Sequence, residues 1–337
     1  MKKLIALVLA LMLVLGLAAC GNQGGNEGGE ATYAIVAKSE GNPYMEKMVD
    51  GFKEACGKIG VKCEVKYPET ATNIEDQIAV INELIAQGVK GIAIAANDAE
   101  ALAATLQEAK EAGITVITLD SDTTGSQMFI NQAGVKEVAQ VLVDSVYDMT
   151  GGEGEFAVLS AASTATNQNA WIAAMDEIIK ADAKYASLTW VETVYGDDES
   201  QKSTDEAENL MTKYPNLEVI CCPTTVGVLA CAKAVQDSGK AIKVAGLGLP
   251  SEMKDYVGDD KVCPYMYLWN PIDVGSCAAY AIKAIADGKV GAVGTSFTAD
   301  NGVTYQIMEG DNAALQIIVG PPFAFNGDNI AEWASVY

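Results

Sequence analysis

Short apolar runs rich in β-formers alternate with helical stretches almost without a break along most of this chain. That alternation restricts the fold more than any other feature. "YAIVA" (33–37), "VKCEVKY" (61–67), "GIAIAA" (91–96) and "ITVITL" (114–119) read as buried strands. Helices are predicted between them from about Pro43, Ile74 and Ala99. The second has Thr72 and Glu75 at capping-box spacing, Ile74, Ile78, Ile81 and Ile85 on one face, and Gly88 as a stop. The pattern then restarts with "EFAVLS" (155–160), "LTWVETVY" (188–195), "LEVICC" (217–222), "IKVAGLGL" (242–249) and "VCPYMYL" (262–268). Helices are predicted here from about Thr166, Ser200, Thr225 and Ser251. A βαβα order means a parallel, doubly wound sheet. Two of them in one α/β chain imply two Rossmann-like lobes and a cleft. A helix over 272–287 and a last strand pair near 303–308 and 315–319 could return to either lobe.

In open α/β sheets ligands bind outside the carboxyl ends of the strands. The residues that follow the strands are therefore the candidate site. They include Lys38 to Asn42, Asn97 and Asp98, Asp120 to Asp122, Thr166 to Asn169 with Trp171, Pro223 to Thr225, and Trp269 to Pro271. One of the three amides Asn167, Gln168 and Asn169 is expected to cap its helix. The surplus amides both donate and accept, which suits the hydroxyls of a polyol. Trp171 and Trp269 offer flat faces to the C–H side of a sugar ring, or pack the lobes together. Lys38 is either a surface lysine or a ligand contact beside the helix that begins near Pro43. Asp120 and Asp122 read as an acid/base or metal pair, as an Asx-type turn, or as hydroxyl-binding carboxylates.

Charge and composition remove several function classes. The formal charge is −23, becoming −25 without Lys2 and Lys3, which argues against nucleic acid. The chain has no histidine, and reading it through finds no arginine. The commonest neutral-pH general base and the bidentate anion fork are thus both missing. A serine hydrolase lacks its histidine, no G-x-G-x-x-G supports a dinucleotide cofactor, and no local motif completes a metal site. No cofactor is expected.

Lys2 and Lys3 precede an apolar run, and "LAAC" ends at Cys20, which reads as a signal peptide over 1–19. Residues 20–30, a cysteine and the Gly-rich "GNQGGNEGGE", read as a flexible tether. The remaining cysteines, Cys56, Cys63, Cys221, Cys222, Cys231, Cys263 and Cys277, are odd in number and scattered through apolar segments. Buried free thiols are expected, with a Cys56–Cys63 bridge left open.

Several phrases in order carry a family likeness: "TLDSDT" (118–123), "INQAG" (130–134), "TATNQNAW" (164–171), "VYGDD" (194–198), "PTTVG" (223–227), "GLGLPSEM" (246–253), "LWNPIDVG" (268–275) and "GPPFAFNGDNI" (320–330). With them the chain resembles the type I periplasmic-binding-protein family, near its rhamnose-binding and autoinducer-2 receptor branches. "LAAC" likewise resembles a lipoprotein signal, with Cys20 as the acylated residue. The resemblance implies two lobes joined by three hinge crossings, near 131–134, 269–271 and 298–302. The first lobe would hold 31–132 and 270–299, the second 133–269 and 300–337.

It also implies an extracytoplasmic solute-binding lipoprotein of an ABC sugar importer, not an enzyme. The protein would be a monomer anchored at the outer face of the cytoplasmic membrane, with permease subunits as partners. The ligand would be a small neutral sugar, with a rhamnose-type deoxy sugar favoured over autoinducer-2. A secreted sugar-active enzyme is the remaining alternative. Lys38, Asp120, Gln168 and Pro223 match the ligand-holding positions of the autoinducer-2 pattern. Asn167 stands where that pattern has aspartate, and Thr225 where it has alanine. Trp269 completes the candidate set, with Tyr44, Asp122, Trp171 and Asn270 as further candidates.

Overall fold

The computed structural model describes residues 31–69 and 72–337; the leader, Cys20 and the tether lie outside them. The chain begins with β1 (Thr32–Val36), α1 (Pro43–Ile59), β2 (Lys62–Lys66), α2 (Ile74–Gln87), β3 (Gly91–Ile94), α3 (Ala103–Glu111), β4 (Thr115–Leu119) and β5 (Phe129–Asn131). It continues with α4 (Val135–Thr150), β6 (Gly154–Ser160), α5 (Thr166–Ala181), β7 (Leu188–Tyr195), α6 (Ser200–Lys213), β8 (Leu217–Cys222), α7 (Thr225–Ser238), β9 (Lys243–Gly246), α8 (Pro250–Met253) and β10 (Tyr265–Leu268). Then come α9 (Pro271–Ala286), β11 (Ser296–Thr298), β12 (Thr304–Gln306), β13 (Met308–Glu309), β14 (Leu315–Ile318), β15 (Phe323–Asn326) and α10 (Ile330–Trp333).

The first sheet runs β2-β1-β3-β4-β5-β14-β13, parallel except for its β13 edge. Its inner strands are apolar on both faces because helices cover both. Ala34, Val36, Ile92 and Ile94 pack with Ile81 and Leu84 of α2 and Leu106 of α3. Ile35, Ala93 and Ile117 belong to the opposite cluster with Met48 and Phe52 of α1 and Val274 and Ala278 of α9. The second sheet runs β7-β6-β8-β9, all parallel, and β10 pairs with β15 beside it through a bridge from Leu247 to Tyr267.

Several local expectations change. The cap of α2 is Asn73, whose Oδ1 accepts from the Glu75 N–H at 3.3 Å, rather than Thr72. The sequence reading left out α4, although Val138, Leu142, Val143 and Val146 form a buried stripe at helical spacing. The helix expected after Ser251 is a single turn, α8. No cysteine of the described residues is bonded to another, and all are buried except Cys63, which is half-buried.

The largest correction concerns the tail. Residues 300–319 do not join the second lobe, because β14 pairs in parallel with β5 and extends the first sheet. The third crossing therefore falls at 319–322 rather than at 298–302. There the Val319 N–H donates to the Asn131 carbonyl at 2.8 Å and the Gly320 N–H to that of Gln132 at 3.3 Å. Two crossings thus run side by side.

The helices α1 and α9 approach backbone to backbone. A Cβ on Gly275 would overlap the Met48 carbonyl, and one on Gly51 that of Ile272. Gly275→Ala is expected to lower stability by about 1–3 kcal/mol in urea unfolding, since overpacking a closed contact forces backbone shifts; unchanged stability would mean that the helices can part.

Glu252 on α8 is raised to about 7, first by burial and then by the charge of Glu46 on α1. A carboxyl raised from 4.5 binds its proton more tightly when folded. Its favourable contribution is complete below about 4.5 and is lost as pH rises through about 7. Urea unfolding of the wild type and Glu252→Gln should show the variant gaining relative stability from pH 5 to pH 8; a constant difference would refute this.

Candidate functional site

The carboxyl ends of both sheets face a hollow that encloses about 350 Å³ when the open solvent at its mouth is included. It is lined by Lys38, Asn42, Tyr44, Met45, Asp120, Asn167, Gln168, Trp171, Asp198, Pro223, Thr224, Thr225, Leu247, Leu268 and Trp269. Lys38, Asp120, Asn167, Gln168, Pro223, Thr225 and Trp269 thus come together from distant parts of the sequence, with Tyr44 and Trp171. Asp122 and Asn270 do not line this hollow.

The first lobe supplies an ion pair. Lys38 leaves β1 and Asp120 leaves β4, and Nζ lies 2.9 Å from Oδ2 with both residues at most 5 % exposed. Asn97 holds the Lys38 backbone by donating Nδ2 to its carbonyl at 3.0 Å. Asp120 sits at the centre of a γ-turn: its φ is +62°, and the Ser121 N–H donates to the Leu119 carbonyl at 2.7 Å. A strained turn turns the carboxylate off the strand axis into the cleft.

The second lobe answers with amides. The N-cap position of α5 is Ala165, which has no side-chain oxygen, so none of the three amides caps in the ordinary way. Asn167 Oδ1 instead accepts from the Gln168 N–H at 3.0 Å and from Lys38 Nζ at 3.0 Å. Its Nδ2 donates to Asp120 Oδ2 at 3.2 Å. Asn169 donates to the Ser163 carbonyl and stays outside. Gln168 Oε1 is buried with no partner from the protein.

The remaining wall is aromatic. Trp269 Nε1–H donates to the Tyr44 hydroxyl at 2.7 Å, and Trp171 and Trp269 lie with ring centroids 5.6 Å apart. Burial, and then the charge of Asp120, raise Tyr44 well above its ordinary value, so it remains a neutral phenol. Met45, Leu247 and Leu268 add apolar surface.

Asp122 and Asn270 serve the scaffold instead. Asp122 accepts from Thr118, Ser126 and the N–H groups of Thr123 and Ala313. Three of these bonds fall on Oδ1 and one on Oδ2, and burial still raises its carboxyl above the usual range. Asn270 caps α9 by accepting from the Ile272 N–H at 3.0 Å. Among the described residues no cluster of three acidic, cysteine or histidine groups could hold a metal.

Asp198 is the notable residue that sequence reasoning missed. It follows β7, a strand end left out of the candidate list, and accepts from Thr224 Oγ1 at 2.7 Å. Asp197 and Asp198 both have positive φ, the second at +54°. Two consecutive aspartates straight after "VETVYG" were the available signal. Burial raises the Asp198 carboxyl, with Asp120 and Asp197 adding to the shift.

Comparison with known proteins fits this geometry. The family model described as "Periplasmic binding protein domain" matches residues 33–290. A solute-binding protein of an ABC transporter from Clostridium phytofermentas, solved with bound L-rhamnose, is 50% identical with a TM-score of 0.88, covering 92% of this chain and 99% of that one. LsrB from Clostridium saccharobutylicum, in complex with AI-2, is 23% identical with a TM-score of 0.82, over 90% of this chain and 99% of its own. The D-allose-binding periplasmic protein of Escherichia coli K12 is 24% identical, over 77% of this chain and 85% of its own. The chain belongs to the type I periplasmic binding protein family, as a solute-binding protein of sugar ABC transport and not an enzyme.

Proposed function

We propose that this protein captures L-rhamnose or a closely similar neutral deoxy sugar between its lobes and delivers it to ABC permease subunits. The observation that carries this reading is Gln168 Oε1, a buried acceptor without a protein partner in the wall of the hollow. An unmet buried acceptor costs about 1–3 kcal/mol, and a ligand hydroxyl would relieve it. The only lysine in the wall is already paired with Asp120, so an anionic ligand would find no free cation. Indoles, Met45 and two leucines suit the C–H face and methyl group of a deoxy sugar. The 50%-identical relative supports this choice through its own bound L-rhamnose. The autoinducer-2 receptor is too distant, at 23%, to speak for more than the fold.

Lipidation of Cys20, a place on the outer face of the cytoplasmic membrane and a monomeric state belong to the same reading, supported by the leader sequence and its tether. No helix of the described residues is long and apolar enough to cross a membrane.

Asn167 both accepts from Lys38 and donates to Asp120, which an aspartate cannot do. Calorimetric titration is expected to show Asn167→Asp binding L-rhamnose at least about tenfold more weakly, since hydrogen bonds to charged groups are worth ~1.5–3 kcal/mol. Preference should move toward autoinducer-2. Unchanged affinity for both would remove Asn167 from the site.

A further inference from the structure

A second hollow, open to solvent, shares Asp120, Asn167 and Trp171 with the first. Its other walls include Phe129, Asn131 and Gln132 at the first crossing, and Asp311, Asn312 and Gln316 around the β13–β14 loop. A single sugar ring held against Trp269 uses none of these six.

Two observations mark the hollow as built for a ligand. Gln132 is only 1% exposed, yet its Oε1 has no partner from the protein. The loop that carries Asn312 is also fixed, because the Ala313 N–H donates to Asp122 Oδ2 at 2.9 Å. That gives the Asp122 carboxylate, itself in the wall of this hollow, a positioning role, and a preorganised loop loses little entropy on binding. Asp311 and Asn312 are exposed, so the hollow opens outward. Its chemistry repeats that of the first hollow: amides and a carboxylate for hydroxyls, with Phe129 and Trp171 as flat apolar faces.

We infer that this hollow is a second sugar-ring subsite. The ligand class then extends to rhamnosyl disaccharides, with one ring at Trp269 and the other between Phe129 and Asn312. The inference rests on the sugar-binding reading above and deepens it.

The test is calorimetry on the whole folded chain with L-rhamnose and with two rhamnosyl-glucoses, rutinose and neohesperidose. At least one disaccharide should bind as tightly as L-rhamnose or more so. Asn312→Ala, a change at an exposed position, should weaken that disaccharide about three- to tenfold, the value of one hydrogen bond, and leave L-rhamnose within about twofold. If both disaccharides fail while L-rhamnose binds, the subsite is refuted and the monosaccharide reading stands. Equal losses for both sugars in Asn312→Ala would also refute it, since Asn312 would then act through closure of the lobes. If no sugar binds, the sugar reading itself falls.

Discussion

A buried triangle of Lys38, Asp120 and Asn167 governs both the contact between the lobes and the chemistry of the cleft. An ion pair out of water is held against a large desolvation cost only when its other hydrogen-bonding capacity is also met. Here the first lobe provides both charges, and an amide of the second meets both. The amide can do so only where the lobes are brought together. The same triangle makes the cleft selective, because an ammonium already matched to a carboxylate leaves hydrogen bonds rather than net positive charge for a guest.

Backbone devices keep the triangle in place. The γ-turn at Asp120 and the left-handed Asp198 turn two carboxylates off strand ends that would otherwise point along the sheets. The start of α5 does the opposite. With alanine at the N-cap, its amides are free to face the first lobe. The paired crossings at 131–132 and 319–320 tie the lobes with two backbone hydrogen bonds, a narrow strap about which they can turn. A ligand that binds the closed arrangement better than the open one shifts that equilibrium by its differential affinity alone.

Much of this was legible in the sequence because a doubly wound fold puts its site where strands end. Lys38, Asp120, Gln168 and Trp269 all directly follow strands or open helices, so reading strand ends found them. Asp122, which like Asp120 follows β4, lines the second hollow rather than the first. Only the tertiary fold shows that Ala313, far along the chain, uses one of its oxygens. Asp198 was missed because the end of β7 was not carried into the candidate list, and only the fold brings this edge strand's end to the hollow. Residues 300–319 were placed in the wrong lobe by the family resemblance alone, because a short apolar run such as Leu315–Ile318 fits any open sheet edge and could not decide between the lobes. Its partner β5 has only three residues and did not stand out as a strand.

A crystal structure of the protein grown with L-rhamnose bears on the central claim most directly. The sugar should occupy the hollow between Trp269 and the Lys38–Asp120–Asn167 triangle, with a hydroxyl within hydrogen-bonding reach of Gln168 Oε1. Sugar bound elsewhere, or in that hollow with Gln168 Oε1 still lacking a donor, would contradict it.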